Sequence, residues 1–174
     1  SRYAAPAEID AASRLCFRFA AHTDKIDAHV HDTVAGHVTL AMKEPFGVMG
    51  LVCGDDAPLA GFLSLVLPAI AVGNRVVVVP SQTNPLAALD LAQIMAASDI
   101  PGGVVNIVSG LPGDLVATLA GHMDVDALWC ARPDLLAKVE SDAAANLKPV
   151  WSPKGSARAH LDAALQVKTI WVPF

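Results

Sequence analysis

The chain has 174 residues, of which 53% are hydrophobic and 17% charged, as expected of one compact domain with a large apolar core rather than a disordered chain. Its formal net charge is −5 and no two Lys or Arg residues are adjacent, so we expect no surface for nucleic acid or an anionic membrane. The most apolar stretch, residues 58–72, is shorter than the roughly 20 residues that span a bilayer, and no apolar signal segment follows residues 1–4.

The first quarter of the chain predicts one helix and one strand. Apolar residues recur with loosely helical spacing from Ile9 to Ile26, which predicts a helix. Residues 27–36 are polar, and the alternation of residues 37–42 predicts a strand.

From Phe46 onwards, short apolar runs alternate with helical patterns. Asn84 and Pro85 suit the N-cap and first position of one of these helices. Repeated strand, helix, strand units of about 25 residues predict an α/β fold with a doubly wound, parallel, Rossmann-like sheet and right-handed crossovers. The predicted strands are residues 47–53, 75–80, 104–108, 125–130 and 147–151, and the helices begin near residues 58, 84, 113 and 133.

The end of the chain departs from this alternation. Residues 157–165 predict a short helix, and residues 166–174 alternate as a strand that places Val167, Thr169, Trp171 and Pro173 on one face. We therefore expect a main domain over residues 1–153, a connector over residues 154–165 and a terminal strand over residues 166–174.

Several segments, in order and spacing, resemble those of the aldehyde dehydrogenase superfamily. Residues 43–50, with the sequence KEPFGVMG, are similar to the entry strand of that family, and VKTIWV near the end is similar to its C-terminal strand. Further similar segments are residues 21–27, 67–77, 102–110 and 122–126. The resemblance implies a nucleotide-binding domain in which residues 27–43 belong to an oligomerisation hairpin.

The resemblance also implies that the catalytic groups are missing. Family members use a nucleophilic cysteine, NAD(P) and a general base, and the catalytic domain that carries the cysteine is absent between Gly155 and the terminal strand. Asp56 stands where the family has an oxyanion-stabilising asparagine, and a carboxylate there would repel the oxyanion. Pro153 stands at the general-base glutamate and cannot accept a proton. No catalytic residue is therefore expected in this chain.

The cofactor positions implied by the resemblance are altered as well. Val79 and Gln82 stand where the family has a ribose-binding lysine and glutamate, and Arg132 and Gly110 complete the candidate set. Near Arg132, Pro133 lacks an amide hydrogen that a pyrophosphate would accept. We therefore expect no cofactor, with weak NAD or NADP binding as the alternative.

Two polar clusters and three cysteines have ordinary interpretations. His29 and His31, with Asp27 and Asp32, form either a chelating cluster or an exposed polar segment. The pair at residues 55–56 forms either a cation site or a charged surface turn. No metal site is expected. Cys16, Cys53 and Cys130 contain no CxxC spacing and suit reduced core thiols of a cytoplasmic protein.

Three functions remain open. The first is a non-catalytic, structural domain similar to the C-terminal unit of two-unit aldehyde dehydrogenases. Its strand from Val167 to Val172 would dock on a catalytic aldehyde dehydrogenase domain, in cis or in trans, and the chain would form a homo-oligomer within or beside an NAD(P)-dependent enzyme. The second is a fragment that retains weak dinucleotide binding. The third is catalysis through Cys53.

Overall fold

The computed structural model describes residues 4–32 and 36–173 and contains two sheets. Residues 1–3, 33–35 and 174, which some predicted ranges include, lie outside the described residues. The helices are α1 (Ala4–Ala20), α2 (Pro58–Ala71), α3 (Leu86–Ala96), α4 (Pro112–Gly121), α5 (Pro133–Ala143) and α6 (Ala157–Ala163). The strands are β1 (His29–Asp32), β2 (His37–Pro45), β3 (Val48–Val52), β4 (Arg75–Val79), β5 (Val105–Ile107), β6 (Ala127–Cys130), β7 (Val150–Trp151) and β8 (Leu165–Pro173).

The larger sheet is parallel, with strand order β5-β4-β3-β6-β7. Successive side chains of a strand point to opposite faces, and the Val run of β4 therefore supplies two cores. In the first core, Val76 and Val78 pack with residues of α1, α2, α3 and α6. In the second core, on the other face of the sheet, Val79 packs with residues of α4 and α5. The predicted doubly wound α/β fold is confirmed.

The smaller sheet is antiparallel, with strand order β1-β2-β8. The hairpin of β1 and β2 pairs His29 with Ala41, and β2 pairs with β8 from His37 opposite Pro173 to Pro45 opposite Leu165. The hairpin extension predicted beside the main sheet is therefore present, and its central strand holds the C-terminal strand of the chain.

Three local predictions are corrected by the structure. Helix α1 ends at Ala20 rather than near Ile26, and Thr23 Oγ1 donates to the Ala20 carbonyl in the turn that follows. Strand β1 lies inside a stretch whose residue pattern was only polar, although the resemblance placed it in a hairpin, because pairing with β2 stabilises an exposed strand that has little apolar pattern. Helix α3 begins after Pro85 without a side-chain cap, so Asn84 is not its N-cap.

The two sheets are joined at the buried side chain of Asn74, which is 2% exposed. Its Oδ1 accepts a hydrogen bond from the Gly47 amide at 3.0 Å, and its Nδ2 donates to the carbonyls of Ala69 (3.1 Å) and Ala164 (2.8 Å). These three backbone groups belong to the start of β3, the last turn of α2 and the junction between α6 and β8. The side-chain amide of Asn74 therefore holds both the segment that leads into β3 and the segment that leads from α6 into β8.

The predicted connector, residues 154–165, contains a helix that packs into the core. Leu161 and Ala164 are buried, and α6 packs on α2. The His160 ring contacts the edge of Trp151 with a centroid distance of 5.0 Å, and Trp151 contacts Trp129 at 4.7 Å. This segment therefore covers part of the first core instead of crossing the surface as a loop.

A buried lysine ends helix α4. Lys148 is 9% exposed, and its Nζ donates to the carbonyls of Leu119 (2.9 Å), Ala120 (2.8 Å) and His122 (2.9 Å). These carbonyls have no amide partner within the helix, and a cation suits the negative end of the helix dipole. Burial lowers the pKa of Lys148.

Among the described residues, no helix is long and apolar enough to cross a membrane.

Candidate functional site: the carboxyl edge of the parallel sheet

The loops that follow β3, β4 and β6 lie at one edge of the parallel sheet. In open α/β sheets, ligands bind outside the carboxyl ends of the strands. The predicted residues Asp56, Gln82 and Arg132 follow these three strands, and Val79 is the last residue of β4. This edge is therefore where the candidate site residues are to be sought.

Asp55 connects the three loops at this edge. Its Oδ1 accepts hydrogen bonds from Ser81 Oγ (2.7 Å), from the Gln82 amide (2.8 Å) and from the Thr83 amide (3.2 Å). Its Oδ2 accepts a hydrogen bond from Arg132 Nη1 at 2.9 Å. The sequence indicated only a charged turn or a cation site here. The structure instead makes Asp55 the residue that holds the ends of β3, β4 and β6 together.

Arg132 is held by two carboxylates. Besides Asp55, it contacts Asp134, whose Oδ1 and Oδ2 accept hydrogen bonds from Nε at 2.9 Å and from Nη2 at 2.8 Å. The Arg132 side chain is only 17% exposed. A bidentate pair of this kind is both strong and geometrically specific. A phosphate group would have to compete with these two carboxylates for the guanidinium.

The other three candidate cofactor residues differ in accessibility. Val79 is 1% exposed and packs in the second core, so its side chain does not reach the edge of the sheet. The Gln82 side chain is exposed, and its backbone amide already donates to Asp55. Gly110 is exposed in the loop before α4. The structure thus brings Gln82 and Arg132 together through Asp55, and it places Val79 in the core.

The two altered catalytic positions are accessible or partly so. Asp56 is exposed at the turn after β3, and Pro153 is half-buried after β7. That these positions replace a catalytic asparagine and a catalytic glutamate remains a prediction from the resemblance.

The buried cysteines have no features of a nucleophile. Burial, and to a smaller extent the charge of Asp55, raises the pKa of the Cys53 thiol to about 12. Burial also raises the pKa of Cys130. The thiolate is the reactive form of cysteine, and Cys53 therefore carries almost none of it near neutral pH. Cys16 is exposed on α1, so the prediction of a core thiol is wrong there.

The candidate metal clusters are not assembled. Over residues 4–32 and 36–173, no group of three or more His, Cys, Asp or Glu side chains is placed to hold a metal ion. The rings of His29 and His31 lie 6.3 Å apart by centroid on the exposed strand β1. The exposed polar segment is the interpretation that fits this arrangement.

The contacts of Asp55 predict a specific pH dependence of stability. Its pKa lies below the usual 3.8, mainly because Ser81 Oγ donates to it, and also because of the Thr83 and Gln82 amides and the charge of Arg132. Since the folded-state pKa is the lower one, the ionised carboxylate contributes stability above about pH 4, and this contribution is lost as the pH falls through the folded-state pKa.

We therefore expect Asp55→Asn to lower the urea midpoint at pH 7, and we expect its curve to converge with that of the unchanged chain as the pH falls through the folded-state pKa of Asp55. Urea unfolding followed by tryptophan fluorescence at half-unit pH steps measures both curves. Asp142→Asn is the control, because Asp142 makes only a helix-surface ion pair with Lys138. A difference that stays constant from pH 7 to pH 3 would contradict this assignment.

The family model, similar proteins and solved structures that match this chain are those of aldehyde dehydrogenases. The model of the aldehyde dehydrogenase family matches residues 2–161. Aldehyde dehydrogenase 1A1 of Equus caballus is 35% identical over 83% of this chain, which covers 30% of that protein, and an aldehyde dehydrogenase of Emericella nidulans is 34% identical over the same shares. The solved indole-3-acetaldehyde dehydrogenase of P. syringae, in complex with NAD+, has a TM-score of 0.78 at 30% identity, over 86% of this chain and 30% of its own. The chain thus spans about a third of its relatives' length.

These structures correct the expectation that no cofactor is bound. Solved relatives that share this fold were determined in complex with NAD+, so the fold itself is one that carries a dinucleotide. The side chains at the carboxyl edge do not offer the charged contacts to a ribose or a phosphate that the resemblance implies, since Val79 is buried and Arg132 is paired with Asp55 and Asp134.

Proposed function

This chain belongs to the aldehyde dehydrogenase family, and from that premise we propose that it is a non-catalytic domain of assembly, which docks through β8 on the catalytic domain of an aldehyde dehydrogenase. The observation that carries the proposal is the free edge of β8. Strand β8 is the last in the order β1-β2-β8, so that in the described part of the chain one of its edges has no strand beside it.

The exposure of β8 favours a partner at this edge. Seven of its nine residues are exposed, among them Val167 (63%), Trp171 (56%) and Val172 (45%). An exposed edge strand with apolar side chains is a template for pairing with another chain. Addition of a strand from a partner would satisfy the free amides and carbonyls and cover these side chains.

The remaining features support a structural role. Cys53 is buried with a raised pKa. The resemblance implies that Asp56 and Pro153 stand at the oxyanion and general-base positions. The proposed partner is therefore a catalytic aldehyde dehydrogenase domain, in cis or in trans, with a homo-oligomer as the second possibility at the same edge.

The register of β8 shows how to block the edge selectively. Pro45 and Pro173 have no amide hydrogen, and they lie in pairs separated by an even number of positions. In an antiparallel ladder, hydrogen-bonded and non-hydrogen-bonded pairs alternate, so we assign the proline-containing pairs to the second kind. Thr169 belongs to the same set of pairs, and we therefore expect its amide to point away from β2, towards the free edge.

Thr169→Pro is expected to abolish docking while the fold is retained. The test is sedimentation velocity of the chain, alone and mixed with a separately produced catalytic domain of an aldehyde dehydrogenase. Thr169→Val, which changes the same side chain but keeps the amide hydrogen, should bind like the unchanged chain. The proposal is wrong if the unchanged chain neither self-associates nor binds the catalytic domain, or if Thr169→Pro binds equally well.

A second candidate function is dinucleotide binding, favoured by the exposure of Gln82 and Gly110 at the carboxyl edge and by the NAD+ complexes of related structures. Calorimetric titration with NAD and with NADP tests it. Binding at micromolar concentrations that weakens in Gln82→Ala supports it, whereas millimolar or absent binding contradicts it.

A further inference from the structure

The carboxylate of Asp55 is the common acceptor of four donors from two other loops. After β4, Ser81 Oγ and the backbone amides of Gln82 and Thr83 donate to its Oδ1 at 2.7, 2.8 and 3.2 Å. After β6, Arg132 Nη1 donates to its Oδ2 at 2.9 Å. We call these four donors the anion cradle, because all of them point at one negatively charged group.

The anion cradle consists of the donors with which proteins bind small oxyanions. Consecutive backbone amides form anion-binding concavities, and a guanidinium binds carboxylate and phosphate oxygens through charge-assisted hydrogen bonds. Ser81 is 1% exposed, so its hydroxyl depends on partners within the protein. Since Ser81 Oγ accepts a hydrogen bond from the Asn84 amide at 3.1 Å, its own hydrogen is left to donate to Asp55.

The guanidinium of Arg132 is held in place independently of Asp55. Asp134 Oδ1 and Oδ2 accept hydrogen bonds from Nε at 2.9 Å and from Nη2 at 2.8 Å. Because the guanidinium is a rigid planar fork, these two bonds also fix the direction of Nη1. We therefore expect Nη1 to stay directed at the anion cradle in a chain that lacks the Asp55 side chain.

The anion cradle is accessible from the solvent. The side chain of Asp55 is 29% exposed and that of Arg132 is 17% exposed, so one side of the carboxylate faces water. Without the Asp55 side chain, an oxyanion larger than a carboxylate could therefore occupy the cradle and extend outwards. Two further exposed carboxylates, Asp56 next in the chain and Asp134 beside Arg132, would weaken its binding by repulsion.

We propose that Asp55 is a built-in occupant of a site for small oxyanions. It holds the ends of β3, β4 and β6 together without a bound ligand, and it closes the site to phosphate from solution. A tethered carboxylate loses no translational or rotational freedom on binding, whereas a free anion does, so a free anion at millimolar concentration is excluded. The anion cradle contains no residue of β8, and this inference therefore goes beyond docking at that strand and does not depend on it.

Asp55→Ala empties the anion cradle, and inorganic phosphate is the probe. The urea midpoint is measured at pH 7 with increasing sodium phosphate, while sodium chloride keeps the ionic strength constant. In Asp55→Ala, we expect phosphate to bind in the millimolar range and to raise the ratio of folded to unfolded chains about tenfold at about ten times its dissociation constant. Formate, which has the deleted carboxylate group, should act in the same way. In the unchanged chain, neither anion should exceed the general stabilising effect of an excluded salt.

Two controls separate the anion cradle from general effects of phosphate. Asp142→Ala frees the ammonium of Lys138 on the surface of α5, where these two residues form an i,i+4 ion pair, so its response to phosphate should equal that of the unchanged chain. Asp55→Ala combined with Arg132→Met keeps the amides and the hydroxyl of the cradle but removes the guanidinium. This double variant should bind phosphate at least about tenfold more weakly than Asp55→Ala.

The inference is overturned if phosphate stabilises Asp55→Ala no more than the unchanged chain, or if the double variant responds as strongly as Asp55→Ala. Asp55→Ser also empties the cradle and replaces Asp55→Ala if that variant does not fold in chloride. If neither variant folds, formate or phosphate must restore the circular dichroism spectrum of the folded chain, and failure to do so also overturns the inference. Docking at β8 is tested separately by Thr169→Pro.

Discussion

Replacement of Asn74 by alanine is expected to lower the free energy of unfolding by about 3 to 5 kcal/mol, the largest effect of a single polar substitution that we anticipate in this chain. The side chain is 2% exposed and makes three hydrogen bonds to backbone groups of distant segments. Alanine would leave the Gly47 amide and the Ala164 carbonyl without these partners, whereas the Ala69 carbonyl keeps the backbone amide of residue 74 at 3.1 Å. Each buried unsatisfied group costs about 1 to 3 kcal/mol. Partial entry of water offsets some of this loss.

The measurement is urea unfolding at pH 7, followed by the fluorescence of Trp129 and Trp151. Asn106→Ala is the matched control. The Asn106 amide also donates two hydrogen bonds, to the carbonyls of Val76 at 3.1 Å and Gly103 at 2.9 Å, but the residue is exposed. We expect the control to cost less than about 1 kcal/mol, because water replaces its partners. Equal losses in the two variants would show that the burial of Asn74 is not the cause.

Replacement of Lys148 by methionine is expected to lower the free energy of unfolding by about 2 to 4 kcal/mol. Methionine keeps the length of the side chain and removes the ammonium group that donates to three carbonyls at the end of α4. Hydrogen bonds from charged groups contribute about 1.5 to 3 kcal/mol each, but removal of the charge also removes its burial cost. The net loss is therefore smaller than the sum of the three bonds.

Thermal and urea unfolding measure this loss, and amide hydrogen exchange locates it. The last turn of α4 should exchange faster in Lys148→Met, because its carbonyls lose their cap. Lys138→Met is the control, since the Lys138 ammonium makes only an exposed ion pair with Asp142, a kind of pair that contributes about 0.3 to 0.5 kcal/mol. Unchanged exchange at the end of α4 in Lys148→Met would contradict the capping role.

The parts of the fold that local patterns determine were predictable from the sequence. The Val run of β4 and the alternation of β8 predicted strands, and strands were found there. The ends of elements were less predictable, because tertiary contacts decide them. Helix α1 ends six residues before Ile26, and α3 begins after Pro85 without a side-chain cap from Asn84.

The candidate site was predictable in its location but not in its chemistry. The strand ends correctly located the loops of Gln82 and Arg132. Asp134, one partner of Arg132, lies two residues away, but the other partner was out of reach of any local pattern, because Asp55 lies 77 residues away along the chain. The same holds for Asn74, whose amide reaches the Ala164 carbonyl across 90 residues. Nothing in the neighbourhood of either residue distinguishes such a side chain from a solvated one.

The pairing of β2 with β8 has a consequence for the order in which the chain folds. The partners in this ladder are far apart in sequence, as the contact between Gln166 and Pro45, 121 residues away, illustrates. Closing so large a loop carries an entropic cost, and during synthesis β8 emerges after the five strands of the parallel sheet. We therefore expect the edge of β2 that pairs with β8 to stay unpaired until the rest of the domain has formed. The small sheet would then be completed only when β8 pairs with β2, after the parallel sheet has formed.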